Sequence, residues 1–119
     1  MNERMITMTL TAGETGTTLS TTYQYMTVPM AITIVAVTAS PNADDTGLTI
    51  DILDDTVEVI AAVVCDTKTV PGTWLSTHVG GANAPVRVAA DSVLSLDANN
   101  AAANTMVTVV IWALVGETS

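Results

Sequence analysis

Residues 31–64 read AITIVAVTASPNADDTGLTIDILDDTVEVIAAVV, three strand-like runs separated by two turns. Leu48, Ile50 and Ile52 alternate with Thr49 and Asp51, the two-residue period of a strand with one buried and one wet face. Asp54-Asp55 then closes a tight hairpin into Thr56-Val57-Glu58-Val59, turn chemistry between β-branched runs. Upstream, Ser40-Pro41-Asn42-Ala43-Asp44-Asp45-Thr46-Gly47 gathers Pro, Asn, Asp and Gly, so the strand over Ala31–Ala39 stops there and another begins after Gly47. No helix fits this stretch, and it forms the centre of a β-sheet.

The rest of the chain agrees with that reading. Met5 to Leu10 alternates Ile6, Met8 and Leu10 with Thr7 and Thr9, then ends at a Gly-rich loop, Thr11 to Gly16. Thr17 to Val28 is β-prone but polar; Tyr23 and Tyr25 share a parity and predict one surface stripe, and Pro29 suggests an edge position. In Ala31–Ala39 the apolar parity changes from Ile32 and Ile34 to Val35 and Val37, which predicts a bulge or burial on both faces. Short strands follow around Val86–Val88 and Leu94–Leu96, and the three asparagines of residues 98–104 favour a loop. Thr105 to Val115 is apolar on both parities, so its second face needs cover from another subunit, a loop or the N-terminal arm. Eight or so strands separated by turns predict an all-β, antiparallel β-sandwich. It has no Cys…Trp…Cys signature, which favours a jelly roll over an immunoglobulin-like domain. The 119 residues predict one domain, with residues 1–16 either its first strand or an N-terminal arm.

Composition narrows the function. Twelve Asp and Glu against three Lys and Arg give a net charge of −9, with no cationic cluster to neutralise phosphates, so nucleic acid and anionic membranes are poor partners. Phe is absent and only Tyr23, Tyr25, Trp74 and Trp112 are aromatic, so the core is aliphatic. Cys65 is the sole cysteine, which rules out an intramolecular disulfide, and it follows Val63-Val64 as a small buried hydrophobe does. The start, MNERMITMTL, has no continuous apolar core of a secretory signal. The longest apolar run is about half of the ~20 residues a membrane helix needs. Synthesis and residence in a reducing cytosol are the expectation.

Candidate chemistry is sparse. His78 is the single histidine; it stands beside Gly80-Gly81, whose amides have the makings of an oxyanion hole, but no Gly-x-Ser-x-Gly elbow accompanies it. No catalytic residue, metal ligand or cofactor follows from this. Asp44-Asp45 and Asp54-Asp55 carry the oxygen ligands that calcium takes, yet Asp is also a turn former, and the two pairs are separated by a strand of about 20 Å at ~3.3 Å per residue. Tyr23, Tyr25, Trp74 and Trp112 are the only platforms for a sugar face; Trp112, inside a wholly apolar strand, reads as core or interface, and interface packing explains Tyr23 and Tyr25 equally well.

Several phrases taken together carry a resemblance. They are Tyr23-x-Tyr25 ahead of a β run, Ala31-x-Thr33-Ile34-Val35-x-Val37-Thr38-Ala39, Gly47-x-x-x-Asp51-Ile52, Leu94-Ser95-Leu96-Asp97, and the closing Trp112-Ala113-Leu114-Val115-Gly116-Glu117. In this order they resemble the capsid decoration, or cement, proteins of tailed bacteriophages. The resemblance covers most of the chain after Thr22. It implies a homotrimer on the virion surface that binds the major capsid protein and carries out no reaction. Met5, Ile6, Met8 and Leu10, with Tyr23 and Tyr25, are the expected partner-binding residues. A glycan- or receptor-binding module of a head or tail fibre is the alternative.

Overall fold

The computed structural model describes residues 4–12, 22–99 and 106–115, with backbone alone for residues 12 and 22–25. Nine strands follow one another: β1 (Arg4–Ala12), β2 (Thr22–Thr27), β3 (Ile32–Pro41), β4 (Thr49–Asp54), β5 (Val57–Val64), β6 (Gly72–Leu75), β7 (Val86–Val88), β8 (Val93–Asn99) and β9 (Val107–Val115). Among the described residues a single 3-10 turn, Thr77–Val79, interrupts them. Every strand pairing is antiparallel.

The strands form two sheets, ordered β1-β9-β3-β6 and β2-β8-β4-β5, with β7 also on β3. β6 pairs with Ala36–Ala39 and β7 with Ile32–Ile34, so the two short strands together fill one strand's place beside β3. Counted so, the order is that of an eight-stranded jelly roll, two Greek keys laid face to face.

Between the sheets lies an aliphatic core. Ile32, Ile34, Val37 and Ala39 of β3 and Val107, Val109, Ile111 and Ala113 of β9 meet Ile50 and Ile52 of β4 and Leu94, Leu96 and Ala98 of β8, all buried. Each set repeats every second residue, so the alternation in sequence is the alternation of faces. Ile6 and Met8 pack against this core and Leu10 is inside it.

Local irregularities shape the sandwich. The parity change in β3 is a register shift between Ile34 and Ala36, with Val35 buried at the shift. In β5, Ile50 pairs with Val63 and Ile52 with Ile60, so Ala61 and Ala62 together oppose Asp51. Ala62 sits at φ 56°, and its N–H donates to Asp51 Oδ1 at 2.7 Å, which supplies the partner that the broken ladder removes. Gly72 marks the crossing from one sheet to the other: a Cβ there collides with the carbonyl oxygen of Val64, so only glycine lets β6 pass the end of β5.

β8 continues through Ala98 and Asn99, which the asparagine-rich composition assigns to a loop. Asn99 pairs with Thr49, and its Nδ2 donates to Asp51 Oδ2 at 3.0 Å, so a side-chain bond holds an unpromising residue in the ladder. The central hairpin turns on Asp55-Thr56, both at positive φ (50° and 73°), between the paired Asp54 and Val57. This is the type I′ geometry of a two-residue hairpin, and a β-branched residue is strained in its second position. Thr56→Gly, which gives the preferred Asp-Gly pair, is expected to stabilise the protein by about 1 kcal/mol and to raise Tm by roughly 4 °C. Thermal unfolding followed by circular dichroism checks this.

Candidate functional site

The two outer faces of the sandwich differ. On the sheet β1-β9-β3-β6, the outward positions fall in rows across the strands: Thr7, Trp112, Ala36 and Leu75 make one, and Met5, Leu114 and Thr33 another. None of these residues is acidic. Ala36 is small and stands between Trp112 and Leu75, so the row is hollow at its middle. A depression of about 280 Å³ results, lined by Met5, Val35, Ala36, Thr38, Leu75, Val79 and Trp112. Thr38 supplies its one side-chain hydroxyl. Met5 (48%), Leu75 (40%) and Val79 (46%) keep large exposed fractions, a cost in water that contact with an apolar surface removes.

On the other sheet, Asp51 of β4 lies directly opposite Asp97 of β8. Like charges placed so repel. The bonds from Ala62 and Asn99 give the Asp51 carboxylate a compensating set of donors. One face is therefore apolar with threonines and one arginine, Arg87 opposite Thr33, and the other is acidic.

The loop after β6 builds the rim of the depression. Ser76 is buried; its N–H donates to the Val35 carbonyl at 2.9 Å, and its Oγ accepts from the His78 N–H at 3.2 Å. Thr77 N–H donates to the Asn83 carbonyl, and Asn83 Nδ2 to the Leu75 carbonyl. These bonds fasten a Gly-rich loop onto the bulge of β3, which the composition alone does not reveal. The amides of Gly80 and Gly81 donate to the carbonyls of Thr77 and Ser76, so both serve the loop. His78 is exposed beside them.

Asp44 and Asp55, one from each acidic pair, have structural partners, whereas Asp54 Oδ1 is buried without a hydrogen-bond partner among the described residues. Asp44 Oδ1 accepts from the Lys68 N–H at 2.7 Å, which ties the loop after β3 to the loop after β5. Asp55 Oδ1 accepts from the Val93 N–H at 2.8 Å while its own N–H donates to the Val93 carbonyl, and this clasp joins the hairpin to β8. The two pairs stand at opposite ends of β4. Among the described residues, no group of three or more His, Cys, Asp or Glu is arranged to hold a metal ion.

Of the expected partner-binding residues, Met5 is exposed and lines the depression. Leu10 is buried, and Ile6 and Met8 face inward, where they line a second hollow of about 150 Å³ with Val28, Pro29, Met30 and Ile32. The segment is thus the sandwich's first strand, paired along its length with β9. The side chains of Tyr23 and Tyr25 lie outside the described residues. The backbone register shifts between the two, pairing Tyr23 with Leu96 and Tyr25 with Ser95, so a simple two-residue period does not run through β2. Trp112 is the member of the depression whose role the sequence obscures, because it sits in a run that is apolar on both parities.

Comparison of the chain with protein-family models, with curated proteins and with solved structures returns no match.

Cys65 is fully buried, and its thiol is pushed up to about 12, first by burial and then by the nearby carboxylates of Asp66 and Asp45. A thiol so placed is a poor nucleophile. We expect the native protein to resist labelling by a maleimide or disulfide reagent at pH 8, and the urea-unfolded protein to take up one label. The same shift makes stability depend on pH. The thiol ionises near 9 when unfolded and about 12 when folded, so stability is unaffected below pH 9 and falls between 9 and 12, where the unfolded chain releases a proton that the native state keeps. The loss approaches about 1.4 kcal/mol per pH unit, and Cys65→Ala, compared by urea denaturation across that range, is expected to flatten it.

Proposed function

We propose that this chain is a structural protein of a tailed-phage virion, which decorates the capsid and stabilises it by binding the major capsid protein. The observation that carries the reading is the two-faced jelly roll: an acid-free sheet face with a hollow between Trp112 and Leu75, backed by an acidic face. The resemblance in sequence points the same way, and implies that several copies stand together at each position. The apolar face meets the shell or a neighbouring copy, and the acidic face stays in water and keeps densely arrayed copies soluble.

The mechanism is mass action. A protein that binds the assembled shell and not its dissociated subunits stabilises the shell by RT ln(1 + [L]/Kd) per site, about 2.7 kcal/mol at a hundredfold excess over Kd. Contacts from several copies to neighbouring capsomers make loss of any one capsomer less probable. A lining of hydrocarbon with one hydroxyl, Thr38, and one indole N–H, Trp112, suits an apolar side chain, whereas a sugar needs several polar partners.

The test uses undecorated shells assembled from the major capsid protein encoded in the same genome. Wild-type protein is expected to co-sediment with these shells and to raise their melting temperature. Leu75→Asp, which places a charge at an exposed position beside the hollow, is expected to abolish both effects while leaving the protein folded. Shells whose melting temperature does not move with wild-type protein refute the proposal.

A further inference from the structure

Sheet edges are where one chain pairs with another, and folded proteins guard them with short strands, bulges and charges. Three edges of this sandwich carry such guards. β6 and β7 have four and three residues. β5 is bulged twice and carries Glu58. β2 breaks register between Tyr23 and Tyr25.

β1 is different. It has nine residues, and its register with β9 runs without interruption from Arg4↔Val115 to Ala12↔Val107. It has no proline and no acidic residue, and its one charge, Arg4, is at its end. Among the described residues it has a strand neighbour on one side only. Thr7 and Thr9, at its middle, are exposed.

We propose that β1 pairs antiparallel with β1 of a second copy of this chain across a two-fold axis. Several features favour a second copy as the occupant. The matching edge must itself be long, unbulged and free of acid, and an identical chain supplies one. A net charge of −9 makes most approaches between copies repulsive, and β1 itself carries no acidic residue, so pairing along Arg4–Ala12 sets no carboxylate of one strand against a carboxylate of the other. Antiparallel pairing also sets the two Arg4 side chains at opposite ends, about 27 Å apart at ~3.4 Å per residue. An isologous contact closes on itself and leaves neither β1 edge open. The outcome is one eight-stranded sheet, β6-β3-β9-β1-β1-β9-β3-β6, with an acid-free face twice as wide. This two-fold pairing departs from the trimer that the resemblance implies.

Sedimentation equilibrium of the purified protein, from micromolar upward, tests the inference. The expected result is a two-chain mass that falls toward one chain on dilution. Thr7→Lys/Thr9→Lys, which sets lysine against lysine for pairings centred near Met8, is expected to give a one-chain mass, and Thr7→Val/Thr9→Val to keep the two-chain mass. Hydrogen exchange of the wild type gives an independent reading: alternate β1 amides are expected to be protected when concentrated and to exchange on dilution. A wild type with a one-chain or three-chain mass overturns the proposal, as does a two-chain mass that survives the lysines. Because shells play no part, failure of the capsid reading leaves this result intact.

Discussion

Everything in this sandwich depends on β9 lying between β1 and β3. The strand joins the two ends of the described chain, pairing residues more than a hundred positions apart. Its inner side chains, Val107, Val109, Ile111 and Ala113, are wholly buried, and its outer Trp112 forms one wall of the apolar hollow. Neither role is open to a strand that alternates apolar with polar residues, so β9 is hydrophobic on both parities. The cost is kinetic. Such distant pairings close large loops before they gain contacts, and topologies of this kind fold slowly.

With no phenylalanine, the core relies on side chains of similar size held by alternation, and few large anchors set its geometry. Position in the sandwich is therefore set to an unusual degree by polar groups at the ends. The Asp55–Val93 clasp fixes the hairpin against β8, and the Asp44–Lys68 bond joins two loops at the opposite end. Asp51 does similar work mid-sheet, where it satisfies the bulged Ala62 amide and the Asn99 side chain. Asp44 and Asp55, one from each pair that in sequence suggests a cation site, are here acceptors for backbone N–H groups, which is what short acidic side chains next to turns commonly do.

Much of the fold was legible in the residues. Alternation placed β1 and β4, turn residues placed the central hairpin, the parity change in Ala31–Ala39 marked the bulge at Val35, and the doubly apolar run marked β9. Other features left no local trace. Ala61-Ala62 gives no sign of a bulge, because the device is an aspartate eleven residues away. Asn99 reads as loop and becomes strand because its amide finds Asp51 across the sheet. The candidate site was harder still. Met5, Ala36, Leu75 and Trp112 are far apart in sequence and meet only through the pairing of four strands, and the hollow between them exists because Ala36 is small. The sequence names Met5, Ile6, Met8 and Leu10 together as one segment; of these Met5 alone is exposed, and Ile6, Met8 and Leu10 belong to the inner parity of the strand.

The pairing of Arg4 with Val115 has an engineering consequence. Residues opposite one another on neighbouring antiparallel strands are only about 5 Å apart. A peptide fused ahead of β1 and another fused behind β9 therefore emerge at a single corner of the domain. Two halves of a split reporter attached in this way are brought together by folding alone, and their signal reports whether the first and last strands have found each other.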